Sequence, residues 1–241
     1  MKNKKVIGIT GAKGALGMAL IKRFRDNGYQ IIGFTHSKIE QEEIYQSGPN
    51  EWIYWESGKE YLLEEPLKGI DLLILNHGIY ERDIDNSEYE KSLIINALSQ
   101  FKILNIFKKI ASQNENDMFR KEIWINTSEA EILPALSPSY EISKLLIGQL
   151  VTAKINFLSK NERQKLFIRK IILGPFKSDL NPIGIMDPNI VAQLIYLISK
   201  IKINLIIISP NPITYFIFPL KEFYYFIYYS ILKFLKHLKT K

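Results

Sequence analysis

Short apolar runs rich in β-branched residues alternate along this chain with longer segments of helical period, an order that few folds accept. Strands are expected over 5–10, 30–35, 52–55, 71–76, 123–126, 167–172 and 205–209, and helices near 15–27, 59–67, 88–112, 140–159 and 188–200. Runs such as DLLILN and IILG are apolar on both faces, so the strands need cover on both sides. The expectation is an α/β chain with about seven strands in a parallel, doubly wound sheet. No repeat or low-complexity linker interrupts residues 1–210, which read as one domain followed by a tail at 211–241.

The first strand runs directly into Thr10-Gly11-Ala12-Lys13-Gly14-Ala15-Leu16-Gly17, and a helix follows at once. Glycines in such a turn let the backbone approach a pyrophosphate and pack the helix on the strand, while unpaired N–H groups at the helix start face the anion. Strand, turn and helix together predict a Rossmann-type dinucleotide site with Thr10, Gly11, Lys13, Gly14, Ala15, Leu16 and Gly17 around the phosphates. A site selective for NAD normally ends its second strand on a carboxylate that accepts from the ribose hydroxyls. Here the residues are Thr35-His36-Ser37-Lys38, none of them acidic, and Thr35, Ser37 and Lys38 with Lys13 offer donors to a 2′-phosphate. The expected cofactor is NADP(H).

Composition removes other chemistries. The chain has no cysteine, so it has no disulfide, thiolate metal site or cysteine nucleophile. His36, His77 and His237 are too scattered to place two ligands on one helical face, and no metal site is expected. The net charge is +7, with a dense basic cluster in the final KFLKHLKTK. No zinc-finger spacing or RNA-binding aromatic motif accompanies it, so nucleic acid is not an expected partner. The first strand begins too early for the apolar segment of a signal peptide, which makes the cytoplasm the expected location.

A catalytic pair stands at Tyr140-Glu141-Ile142-Ser143-Lys144, where residues four apart share a helical face. A phenol ionises near pH 10, and a neighbouring cation favours the phenolate, so such a pair suits proton exchange. Tyr196 with Lys200 and Tyr229 with Lys233 have the same spacing. What distinguishes Tyr140 is its place between a strand that leads into Asn126-Thr127-Ser128 and a later one that ends in Gly174-Pro175.

Together these motifs resemble the short-chain dehydrogenase/reductase family, over most of the chain. The Gly-x-x-Gly-x-x-Gly spacing looks more like the family's extended and atypical branches than its commonest form. The resemblance implies that Tyr140 exchanges a proton with the substrate oxygen, Lys144 acts on that phenol and holds the ribose, and Asn96 completes a proton relay. A hydroxyl after the fifth strand would orient the oxygen: Ser128 is chosen, with Thr127 one position earlier as the alternative. Asn76-His77-Gly78 matches the family's Asn-Ala-Gly with His77 in place of alanine, and Gly174, Phe176 and Ser178 fall in a turn that would lie against the nicotinamide and pyrophosphate. The implied activity is reversible hydride transfer between NADP(H) and a small hydrophobic carbonyl or alcohol. The alternatives are a membrane-attached NADP-binding sensor or scaffold without turnover, and an epimerase or isomerase that retains its nicotinamide, as the glycine spacing suggests.

A closer resemblance, carried by NTSEAEILPALSPSYEISK, LGPFKSDLNPIGIM and NPITYFIFPLKEF, is to the dehydrogenase half of fusions between a sterol desaturase and a short-chain dehydrogenase; it implies a lipid or sterol-like substrate. The tail from 215 to 234 holds ten aromatic residues, and Pro219 and the Lys221-Glu222 pair interrupt its apolar runs. Those breaks argue against a membrane span and for an amphipathic helix. Residues 215–241 are therefore expected to contact a membrane peripherally, at its cytoplasmic face, with packing on the domain or on a second copy in a homo-oligomer as the alternative.

Overall fold

The computed structural model describes residues 5–37, 48–81, 86–113 and 120–239. Seven parallel strands form one sheet: β1 (Val6–Thr10), β2 (Gln30–Thr35), β3 (Glu51–Tyr54), β4 (Leu72–Leu75), β5 (Lys121–Ser128), β6 (Leu166–Leu173) and β7 (Leu205–Ile208). Their spatial order is β3-β2-β1-β4-β5-β6-β7. The order reverses between β1 and β4, and such a switch point opens a crevice at the carboxyl ends of the strands, where open α/β sheets bind ligands.

Helices cover both faces because the strands are apolar on both. All four residues of β4 are buried, and so are all eight of β6. On one face α1 (Ala15–Asp26) and α7 (Pro188–Ser199) bring Leu20, Ile21, Phe24, Val191 and Ile195 against Ile7, Ile9 and Ile171. On the other, α4 (Gln100–Gln113) and α5 (Pro138–Phe157) bring Leu104, Phe107, Ile147 and Val151 against Leu73, Ile123 and Ile168. Full burial of such side chains stabilises the fold by about 1.5–3 kcal/mol each. Shorter helices α2 (Glu64–Lys68), α3 (Asn86–Leu93) and α6 (Lys160–Lys165) connect the layers.

Several boundaries differ from the sequence reading in ways that matter to the site. The fifth strand extends to Ser128, so Thr127 and Ser128 are its last two residues, paired with Ile172 and Leu173, and not a turn beyond it. The helix expected over 88–112 is broken by a π turn, Ile94–Ser99, between α3 and α4. The helix expected to begin at Tyr140 begins at Pro138, capped by the Ser137 hydroxyl, which accepts from the Tyr140 N–H at 3.3 Å. Such a cap contributes about 1 kcal/mol and here also fixes the first turn, which carries the tyrosine.

Candidate active site

At the nucleotide end the geometry is set by backbone. Gly11 has φ +60°, and a Cβ there would come within 2.9 Å of the His77 Cα. A Cβ on Gly17 would lie 2.2 Å from the Gly11 carbonyl oxygen, so that contact between turn and helix requires glycine. Gly14 is the N-cap of α1 and supplies no side-chain cap, which leaves the first N–H groups of a 12-residue helix for an anion. These are the features a pyrophosphate needs, and the turn fits a dinucleotide. Thr35 is buried at the end of β2 and its hydroxyl accepts from the Ser37 N–H at 3.1 Å; Lys38 lies outside the described residues.

Neutral hydrogen bonds stitch β1 to β4 at this point. The Thr10 hydroxyl accepts from the Asn76 N–H at 2.9 Å and lies 2.8 Å from His77 Nδ1. Asn126 donates to the Asn76 side-chain oxygen at 2.9 Å, and Gln100 to the His77 carbonyl at 2.6 Å. The His77 ring meets Trp55 edge to face at 5.1 Å. Burial, with the nearby Lys144 ammonium, pushes the His77 pKa down from 6.5 to about 3, so the imidazole is neutral at physiological pH.

A cavity of about 640 Å³ opens at the carboxyl ends of β4, β5 and β6. It brings together Asn76, His77, Gly78, Ser128, Tyr140, Lys144, Gly174, Phe176 and Ser178, all singled out in the sequence. Thr10–Gly17, Thr35 and Ser37 do not line it; the hydrogen bonds of Thr10 tie the glycine turn to its rim. The Lys144 ammonium lies 5.4 Å from the Tyr140 ring centroid, and among the described residues neither the phenol oxygen nor that ammonium has a hydrogen-bond partner. Thr127, the alternative to Ser128, also lines the cavity, but its hydroxyl donates to the Ile171 carbonyl at 3.2 Å. Ser128 Oγ accepts from the Ala130 N–H at 3.2 Å, and its own proton has no acceptor among the described residues.

Asn96 sits in the π turn, fully buried, and stands behind the site. Its amide accepts from the Ile79 N–H at 2.7 Å and donates to the Ile79 carbonyl at 3.0 Å and the Ser143 hydroxyl at 2.9 Å. A Cβ on Gly78 would approach Asn96 Oδ1 to 2.9 Å and Lys144 Nζ to 3.8 Å. Glycine at 78 thus keeps open the space between asparagine and lysine. The π turn aims Asn96 out of the register that an unbroken helix would impose, a use to which such turns are often put.

Two groups of residues escaped the sequence reading. Glu129 follows Ser128, lines the cavity and is 8% exposed. Beneath it lies a buried ionic cluster: Lys170 Nζ is 2.7 Å from Glu131 and 2.8 Å from Glu222, and Lys221 is 2.9 Å from Glu131. Burial alone would push the Lys170 ammonium down, but the two carboxylates outweigh it and its pKa is raised. The available signal was a pair of cations, Arg169-Lys170, in the middle of an otherwise apolar strand. Glu222 and Lys221 belong to the tail, whose helix α8 (Thr214–Lys239) runs along α5; Phe218 is fully buried, and Gln149 donates to the Tyr229 hydroxyl at 2.8 Å. The opposite face exposes Phe216, Leu220, Phe223, Tyr224 and Phe234. Among the described residues no helix is long and apolar enough to cross a membrane.

The sheet order, the glycine turn and the Tyr-x-x-x-Lys helix after β5 define the fold of a short-chain dehydrogenase. No family model matches the chain. It superposes on a bulky-bulky ketone specific alcohol dehydrogenase from Comamonas testosteroni (TM-score 0.72, 15% identity, 86% of each chain). It also superposes on a short-chain dehydrogenase from Sphingobium yanoikuyae solved with NADPH (TM-score 0.71, 14% identity, 86% of this chain and 88% of that one). In sequence it is 37% identical over 232 residues to a monoglucosyldiacylglycerol epimerase of Synechocystis; the match covers 95% of this chain but 55% of that protein, so the chain spans about half the length of this curated relative. These matches show that the chain has the short-chain dehydrogenase fold, and the match to the epimerase runs through nearly all of it.

Proposed function

We propose that this chain is an NADP(H)-dependent enzyme acting at a carbinol or carbonyl carbon of a hydrophobic, lipid-like substrate. One observation carries the reading: Ser128, Tyr140 and Lys144 face a single cavity that Leu133, Leu136, Leu173, Leu180 and Ile183 also line. The cofactor rests on Thr10–Gly17, Asn76–Gly78, Gly174, Phe176 and Ser178. NADP is favoured over NAD because no carboxylate follows β2 at Thr35–Ser37, where the S. yanoikuyae enzyme and others of this fold that were solved with NADP or NADPH support the choice. The bound nicotinamide supplies hydride exchange with the reacting carbon.

The rest of the chemistry falls to this chain. The free hydroxyl proton of Ser128 orients the substrate oxygen. Tyr140 donates its phenolic proton to that oxygen in reduction and takes it back in oxidation, worth about 10²–10⁴ in rate for a well-placed acid–base group. Lys144, beside the phenol ring, holds the ribose, and Asn96 fixes the backbone at Ile79 and the Ser143 hydroxyl.

A second reading, epimerisation without net redox change, is favoured by the Synechocystis relative. It uses the same groups twice, once in each direction, at one hydroxyl-bearing carbon. The exposed aromatic face of α8 and its lysines suit a peripheral contact with a lipid surface, from which such substrates come. The test combines purified chain and detergent with NADPH and lipid ketones, and separately with NADP⁺ and monoglucosyldiacylglycerol. NADPH oxidation supports reduction; a change of sugar configuration with no net NADPH formed supports epimerisation. Tight NADPH binding with neither outcome overturns both and leaves a sensor or scaffold without turnover.

A further inference from the structure

Among the described residues Glu129 is the one carboxylate on the cavity wall, and its surroundings are unusual for a group so nearly buried. Two residues further on, Glu131 is answered by Lys170 and Lys221. Glu129 has no ion-pair partner among the described residues. Its side chain is held by a single hydroxyl, Ser209 Oγ, 2.6 Å from one oxygen and 3.1 Å from the other. A hydroxyl carries one proton, whereas an ionised carboxylate offers about four acceptor positions. Most of that capacity is unmet by protein, and a buried acceptor left short of donors is costly.

We propose that Glu129 determines specificity by accepting hydrogen bonds from the hydroxyl groups of a polyhydroxylated, uncharged head, adjacent to the carbon on which Ser128 and Tyr140 act. The inference rests on the active-site reading above and narrows its substrate class. A carboxylate accepts only, so it welcomes hydroxyl donors and repels phosphate or carboxylate heads. Asn181 and Asn211, which also line the cavity and are not assigned to the cofactor, both donate and accept, as neighbouring hydroxyls on one ring require. Beyond them the rim is aliphatic: Leu136, Ile183 and Ile185 line the cavity and are 84%, 81% and 72% exposed. Head and rim together describe an amphiphile with a sugar-like polar end and a hydrocarbon end.

Ser209 also accepts from the Asn211 N–H at 2.9 Å in the loop that leads to α8, so Glu129 has a competing structural role as an anchor of that loop. Glu129→Gln separates the two, because the amide oxygen still accepts from Ser209 while the charge is lost. The test uses the full chain with NADPH and two probes: a short-chain alkyl glucoside below its micelle concentration and the corresponding alkyl alcohol. Binding of each is titrated calorimetrically, and turnover is assayed on ketones with and without a polyhydroxylated head.

Wild-type protein is expected to prefer the glucoside, and Glu129→Gln to reduce that preference about 10- to 100-fold, as loss of a hydrogen bond to a charged group does. The same fall is expected in the ratio of kcat/KM between the two ketones, with NADPH affinity and Tm unchanged. Equal affinity of the wild type for both probes, or a Glu129→Gln variant that keeps the preference, overturns the inference. So does a lowered Tm with both probes weakened alike, which is the signature of an anchor. Glucoside preference without any turnover supports Glu129 and sinks the oxidoreductase reading; turnover without Glu129-dependent preference does the reverse.

Discussion

The two ends of the cleft are built from different materials. At the nucleotide end the surface is backbone, held by glycines and by a neutral network of Thr10, Asn76, His77 and Asn126. At the substrate end the surface is side chain, and it stands on buried charges: the turn that follows Ser128 carries Glu131, which is clamped by Lys170 from β6 and Lys221 from α8. The contrast teaches how the tail enters the site. Helix α8 reaches the active-site turn through ions that are expensive to bury and costly to break singly.

The largest expected effect is therefore at Lys170. Replacing Lys170 with Met strips the cation from two carboxylates, and thermal unfolding is expected to show a loss of about 3–5 kcal/mol. A loss below about 1 kcal/mol, the range of a surface pair, would erase the contrast between the two ends. Next is Gly17→Ala, whose methyl would meet the Gly11 carbonyl at 2.2 Å. NADPH titration is expected to show affinity down about a hundredfold, the scale of an ångström-sized misplacement. An unchanged affinity would mean that the turn yields and that the backbone at this end is not the binding surface.

The hydroxyl at the end of β5 sharpens the same division. Ser128→Ala is expected to lower kcat on a lipid ketone by about a hundredfold, whereas Thr127→Val, whose hydroxyl is already committed to Ile171, is expected to leave most of it. The reverse order would transfer the oxygen-orienting role to Thr127.

The smallest effect is a dependence on pH. Folded His77 stays neutral down to about pH 3, while the unfolded chain protonates it below about 6.5. The unfolded state then holds the extra proton, so His77 costs no stability above pH 6.5 and progressively more as the pH falls towards 3. The slope is on the order of 1 kcal/mol per pH unit at most, and His77→Ala should remove it from denaturation curves taken across that window. An identical slope in the variant would show that the nucleotide end is not neutral.

What could be read in the sequence was local. The glycine turn, each strand or helix taken singly, and the Tyr140–Lys144 pair are patterns of neighbouring residues, and the period of one element or the geometry of one turn fixes them. The rest depended on residues brought together from afar. Glu131 meets Lys170 across 39 positions, and Glu222 meets it across 52, so the Lys221-Glu222 pair read as a break in an apolar run and proved to be the tail's attachment. Thr127 and Ser128 could not be told apart without knowing that the strand runs through both and that one hydroxyl is spent on its neighbour. The π turn at Asn96 has no signature in a single sequence, because its residues are ordinary helix formers.

The central claim is that Tyr140 is the proton-exchanging group of a nucleotide-dependent reaction, and Tyr140→Phe tests it most directly when NADPH affinity and turnover are measured on the same preparation. The expected result is turnover reduced about 10²–10⁴-fold with NADPH held as tightly as in the wild type. Turnover at the wild-type rate would contradict the account.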